Sequence, residues 1–309
     1  REATARALAA ALRPELERAA RDNSDPPGSP YEFEAGACAR RALKNAALGA
    51  LARLGGEGVT QDLLARFRAA TNMTDEAAAL AALDRIGHEQ SPPRRGAAPG
   101  QRIGDVHPSI PPPAPPGGKV RQEALDAFYA KWKHEPLVLL KWIAMQAASN
   151  LPGNTAAVRT LMQHEAVKLS NPNTCYSLFL AFARSPVNFH ADRHTIPVWV
   201  RSWMTGEWQT SRTASVLRLS PSKRWPHVHP PHNLAISAAD GSGYEFMADS
   251  VLQIDQINHQ VAARMVGVFN SWRNYDAERG ALMTAALRRM ASANGISANV
   301  YEIVTKALP

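Results

Sequence analysis

The sequence predicts an all-α fold, an α-solenoid of stacked helix pairs broken by two irregular proline-rich inserts. Three observations predict it. Amphipathic stretches with helical spacing follow one another between Gly and Pro breaks. No stretch alternates convincingly with period two, so little sheet is expected. Two long segments lack helical rhythm and hold much of the proline. With 45% apolar residues in 309, the composition is globular and allows a sizeable core.

The elements follow in order. Ala3 to Arg21 is rich in Ala, Leu, Arg and Glu, strong helix formers, with Pro14 expected to kink or divide it. Asp22 to Pro30 is a breaker run of three prolines and a glycine. Glu34 to Leu54 resumes the helix, with Ala39, Ala42, Leu43, Ala46, Ala47 and Ala50 spaced for one buried face, until Gly55-Gly56 stops it. Val59 to Ala70 is the next helix. Thr74 is read as the N-cap of a helix running to about Ile86, with Asp75 and Glu76 placing negative charge in its first turn. Arg121–Lys133, Leu137–Ala148 and Thr155–His164 follow. Asn171-Pro172 reads as N-cap plus N1 proline, opening a helix through Phe182. Ser242–Leu252, Gln260–Asn270, Asp276–Ala291 and Ala298–Ala307 complete the series. No fixed-period sequence repeat is present, so any repeat is structural.

The inserts are 91–118, with nine prolines, and 192–239, with four tryptophans, four histidines and five prolines. They also hold most of the charge. The first carries three arginines against one aspartate, and the second six basic residues against two acidic. Of the formal net charge of +8, only +2 is left for the helical body. A nucleic-acid partner, which the total would suggest, loses its main support. No stretch of about 18 apolar residues exists, so no membrane-spanning helix is expected. The chain begins at Arg1, and Ala3–Leu12 already reads as helix, so the sequence is expected to start mid-protein.

Chemistry-bearing patterns are few. Cys38 and Cys175 are too sparse for a disulfide framework or a zinc cluster and read as buried or idle thiols. His88-Glu89, His134-Glu135 and His164-Glu165 each lack the second histidine of a zinc-peptidase helix; Pro92, Val138 and Lys168 stand there instead. His227, His229 and His232 come nearest to a metal cluster, but three flanking prolines stiffen the segment and no carboxylate is close, so at most adventitious binding is expected. No phosphate loop, nucleophile elbow or Cys/His pairing is visible, so no catalytic residue and no metal ligand is assigned. Gln260 and Arg264 lie one turn apart on one helix face, beside an apolar stripe of Val261, Met265, Val268 and Trp272.

Eight collinear motifs nevertheless resemble the C-terminal region of the aminopeptidase N family of bacteria and plants. They are Ala39–Asn45 (ARRALKN); Ala70–Asp75 with Ala79-Leu80; Lys141-Trp142 with Gln146-Ala147; Ser170–Asn173 (SNPN); Phe189–Ala191; Asp240–Tyr244 (DGSGY); Tyr275–Ala277; and Tyr301–Leu308. The resemblance implies an armadillo/HEAT-like helical domain, over 1–309, of a zinc enzyme that removes N-terminal residues from peptides. It implies that the zinc ligands and general base belong to a catalytic domain of the same enzyme. That domain is then the expected partner, peptide the expected substrate, and zinc the expected cofactor of the whole enzyme, with none bound by this chain. Two residues carry over: Gln260 and Arg264, in Gln-Val-Ala-x-Arg, resemble the pair that lines the family's substrate channel. A second channel arginine of bacterial members corresponds here to Tyr176. Phe-His-Ala runs almost directly into Asp-Gly-Ser-Gly-Tyr in the family, whereas 192–239 separates them here, as an untranslated segment kept in frame would. A free-standing helical-repeat interaction module is the alternative reading.

Overall fold

A computed structural model describes residues 2–26, 28–90, 118–151, 153–190 and 241–309. Among them only helices, turns and bends occur, with no strand. Both expected inserts lie outside the described residues, Gly118 apart, as does the His227–His232 cluster.

The first pair is α1 (Glu2–Ala11) and α2 (Arg13–Asp22), and Pro14 sits in the first turn of α2, where its missing N–H costs nothing. Then come α3 (Ala35–Leu51), α4 (Glu57–Ala69) and α5 (Met73–Gln90). A 3-10 turn, Ala52–Leu54, tightens the end of α3, and Gly55 at φ 67° breaks the helix there. Next are α6 (Gly118–Trp132), α7 (Pro136–Ala147), α8 (Asn154–Leu161) and the short α9 (Pro172–Cys175). The last group is α10 (Ser242–Asp255), α11 (His259–Val266), α12 (Ala277–Ala291) and α13 (Ala298–Ala307). Helices pack mainly on near neighbours in sequence, α2 on α3, α4 on α5, α10 on α11 and α12 on α13. One contiguous core runs through them from Ala20 to Ala307.

Several expectations are corrected. The cap of α5 is Asn72, not Thr74: its Oδ1 accepts from Asp75 N at 2.9 Å. Asn171 does cap α9, accepting from Asn173 N, but the helix beyond does not run on regularly; Tyr176–Leu180 is a π-helical turn. The largest correction is the inner face of α3. Ala39, Ala42, Leu43 and Ala46 are exposed, Leu43 by 52%, while Ala37, Arg41, Lys44, Ala47 and Leu48 are buried. Ion pairing is the reason. Arg41 reaches Asp25 at 3.3 Å and the Glu32 carbonyl at 2.6 Å, and Lys44 Nζ donates to Asp75 at 2.6 Å. Two long cations with aliphatic stems and matched acceptors hold the helix inward on that side.

The Lys44 contact also shows what the motifs do. Lys44 and Asn45 of one motif close on Asp75 and Asn72 of the next, with Asn45 Nδ2 at 2.9 Å and Asn72 Nδ2 at 3.0 Å from the carboxylate. Burial works against the Asp75 charge, but bonds from Lys44, Asn45 and Asn72 outweigh it and hold the carboxyl below its ordinary range. Glu76, 3% exposed, accepts from Lys131 and from the Trp132 indole, both at 2.9 Å, and so ties α5 to α6.

Candidate functional site

The helix carrying the predicted pair, α11, is set by its first residues. Asn258 Oδ1 accepts from the Gln260 and Val261 amides, each at 3.1 Å. Just before it, the Asp255 carboxylate is fully buried. It takes the Ser297 amide at 2.7 Å, the Ser297 hydroxyl at 2.5 Å and lies 3.1 Å from His259 Nδ1. Ser297 in turn caps α13, so one carboxylate fixes where α11 begins relative to α13.

From that anchored start, Val261, Ala262, Met265 and Val266 turn into the core. The expected apolar stripe is cut short: Val268 lies in a 3-10 turn, Gly267–Phe269, and Trp272 in another, Trp272–Asn274, both half-buried. Gln260 and Arg264 occupy the opposite, exposed face, as the i, i+4 spacing predicts. Among the described residues, neither the Gln260 side-chain amide nor the Arg264 guanidinium has a hydrogen-bond or ion-pair partner.

The fold then brings in a third residue from far along the chain. Arg264 Cζ lies 5.4 Å from the centre of the Tyr176 ring. Tyr176 is half-buried at the start of the π-helical turn, held by the buried Cys175 before it and by Leu178 and Phe179 after it. The site is thus an open wall bearing an amide, a guanidinium and an aromatic ring. In-plane guanidinium donors suit carboxylates and peptide carbonyls, the amide suits backbone groups, and the ring suits apolar side chains.

The remaining candidates resolve into structural roles. Buried Cys175 donates to the Leu169 carbonyl, and burial pushes its thiol up to about 11. His164 Nδ1 accepts from the Ala166 amide, and its ring packs against Tyr129 and Trp142 with centroids 4.8 and 5.0 Å apart. His134 and Glu135 are exposed. No group of three or more His, Cys, Asp or Glu residues is placed to hold a metal among the described residues. A shallow cleft of about 310 Å³, lined by Trp272, Arg273, Tyr275 and Arg288 among others, includes neither Gln260 nor Arg264.

Sequence reasoning missed two clusters. Asp255–His259–Ser297 left no signal, because its members come from separate helix ends. His190 sat inside a motif, but its role did not show: Nδ1 lies 3.1 Å from the buried Tyr244 hydroxyl and Nε2 lies 3.0 Å from the Tyr275 hydroxyl. It therefore joins three of the eight motifs at one point.

Comparison with known proteins gives the same picture. The sequence matches the family described as "Domain of unknown function (DUF3458_C) ARM repeats" over residues 1–97, 114–195 and 232–309. The stretches left out, 98–113 and 196–231, fall inside the two expected inserts. An aminopeptidase N of Caulobacter vibrioides is 30% identical over 90% of this chain and 23% of its own length. One from Escherichia coli is 30% identical over 100% of this chain and 26% of its own. The chain therefore spans about a quarter of the relatives it matches. A crystal structure of Legionella pneumophila aminopeptidase A in complex with aspartic acid shares the fold, with a TM-score of 0.67 at 23% identity over 99% of this chain and 28% of that one.

Proposed function

Since the chain belongs to the DUF3458_C ARM-repeat family and corresponds to the C-terminal domain of aminopeptidase N, we propose that it walls the peptide cavity of a zinc-dependent aminopeptidase. The observation that carries this reading is the unsatisfied, exposed pair of Gln260 and Arg264 on a helix whose start is locked by Asp255. Exposed polar groups on a rigid element are what a binding wall needs, because they lose little freedom when a ligand arrives.

In the whole enzyme, zinc would polarise the scissile carbonyl and activate a water. Those ligands and the base belong to the catalytic part, which is the partner proposed for this domain. An apolar stripe that faces outward on α3 (Ala39, Ala42, Leu43, Ala46), together with Phe33 at 85% exposure, suits a surface that such a partner covers. This chain's share is binding: Gln260 and Arg264 hold the substrate beyond the bond being cut and so orient it. The segments 91–118 and 192–239 are departures from the domain rather than parts of its wall.

The test has two arms. The purified chain, supplied with zinc and an aminoacyl chromogenic substrate, shows no turnover; metal-dependent turnover refutes the reading. In the intact enzyme, Arg264→Gln raises KM for peptides but leaves the short chromogenic substrate unaffected. Equal effects on both would place Arg264 elsewhere.

A further inference from the structure

The contact between Arg264 and Tyr176 has no part in the reading above, although that reading is its foundation. With its Cζ 5.4 Å over the Tyr176 ring and no hydrogen-bond or ion-pair partner among the described residues, the Arg264 guanidinium keeps all five of its in-plane N–H donors available. That plane is the one in which a carboxylate is gripped by two parallel bonds. The ring is not free to leave. Tyr176 opens the π-helical turn, which is wedged by fully buried Leu178 and Phe179, and a π-helical turn inside a helix is frequent at functional sites. Among the described residues no carboxylate pairs with Arg264, so its charge is not already spent. Tyr176 is itself only half-buried, beside the exposed Arg264.

We propose that Tyr176 is a positioning and specificity-determining residue. It holds Arg264 edge-outward to receive the free C-terminal carboxylate of a short peptide, and its ring takes an aromatic or apolar last side chain. Gln260, one turn earlier on the same face, takes a peptide carbonyl. A second arginine at position 176, as the resemblance would have it, would instead offer two charges and no apolar plate.

The experiment titrates the full 309-residue chain with N-acetyl-Ala-Ala-Phe as free acid, its C-terminal amide, and N-acetyl-Ala-Ala-Gly as free acid, following the Arg264 Nε–H resonance and the fitted Kd. The Phe acid binds tighter than its amide, and tighter than the Gly acid by about two- to tenfold, the factor an aromatic ring pair gives. Tyr176→Leu keeps an apolar side chain but loses the π face, so the acid binds about two- to fivefold weaker and the acid-to-amide ratio falls. Tyr176→Phe keeps both. A merely structural Tyr176 would alter melting and leave that ratio alone. If Tyr176→Leu preserves the ratio and the Phe preference, the assignment of Tyr176 is overturned while the wall reading stands. If Arg264→Gln and Gln260→Ala change binding of none of the peptides, or no peptide binds, the wall reading itself falls.

Discussion

Gly243 offers the sharpest test of the fold. A Cβ there would overlap the Asn188 carbonyl oxygen, and would lie 2.6 Å from the Phe189 carbonyl oxygen and 2.9 Å from Phe189 Cα. All three are backbone atoms, so no side chain can swing aside. Ordinary contact begins at about 3.4 Å, and Gly243→Ala therefore forces α10 and the 188–189 segment apart by roughly 1 Å. Helix α10 buries Tyr244, Phe246, Met247, Val251 and Ile254, each 1% exposed or less, so the shift spreads through the core. The expected cost is about 3 kcal/mol, the upper end for overpacking, or a fall in melting temperature of about 6–12 °C. Urea and thermal unfolding followed by circular dichroism measure it. Gly267→Ala is the control, because nothing lies within 4 Å of its added Cβ and its φ of −53° suits alanine. That change is neutral or stabilises by about 0.5 kcal/mol. A Gly243→Ala loss no larger than that of the control would refute the close approach, and with it the joining of the two motifs.

Four further outcomes are expected. Lys44→Met strands a mostly buried carboxylate and costs about 3 kcal/mol, the low end for breaking such a pair because Asn45 and Asn72 still donate; denaturant titration reads it. Because the folded state lowers the Asp75 pKa, that group's stabilisation is complete above the unfolded value of about 3.9 and disappears as pH falls below it, so the gap between wild type and Asp75→Asn should close in acid; a gap unchanged down to pH about 2 would contradict the assignment. Asp255→Ala unties Ser297 from the start of α11, lowering stability by about 3 kcal/mol and broadening the Arg264 Nε–H resonance, whereas a sharp, unshifted resonance would show that α11 is fixed by other contacts. Deleting 192–239 leaves a chain with the same helical circular dichroism and cooperative melt, since both flanks already meet at Phe189 and Gly243; a molten product would sink that expectation.

The fold class was legible because helix periodicity and Gly/Pro punctuation act within a few residues. Helix α13 matches its expected bounds, and Pro14 divides α1 from α2 as its missing N–H requires. What periodicity could not tell was direction. Of the six stripe positions expected on α3, Ala39, Ala42, Leu43 and Ala46 point outward and only Ala47 is buried, because Arg41 and Lys44 find carboxylates that lie far along the chain. The cap at Asn72 lost to Thr74 in the reading because both are good caps and only the Asp75 amide decides between them. The π-helical turn is five residues long, too short for any spacing rule. At the candidate site, Gln260 and Arg264 were visible as a helical pair, but Tyr176 came in only as a substitution within a motif. Its place under Arg264 is a long-range contact that no local pattern encodes.

The knot around His190 has an engineering meaning. The described residues stop at His190 and resume at Gly241, and on either side of that break the backbone of Phe189 touches Gly243 while the ring of His190 meets Tyr244. Because the two doorposts hold each other, closing a longer excursion between them costs only about 0.6 kcal/mol per doubling of its length. The domain is thus a natural host: a reporter or a ligand-gated guest whose own termini sit side by side could be spliced in at this doorway, and the helical stack would keep its register around it.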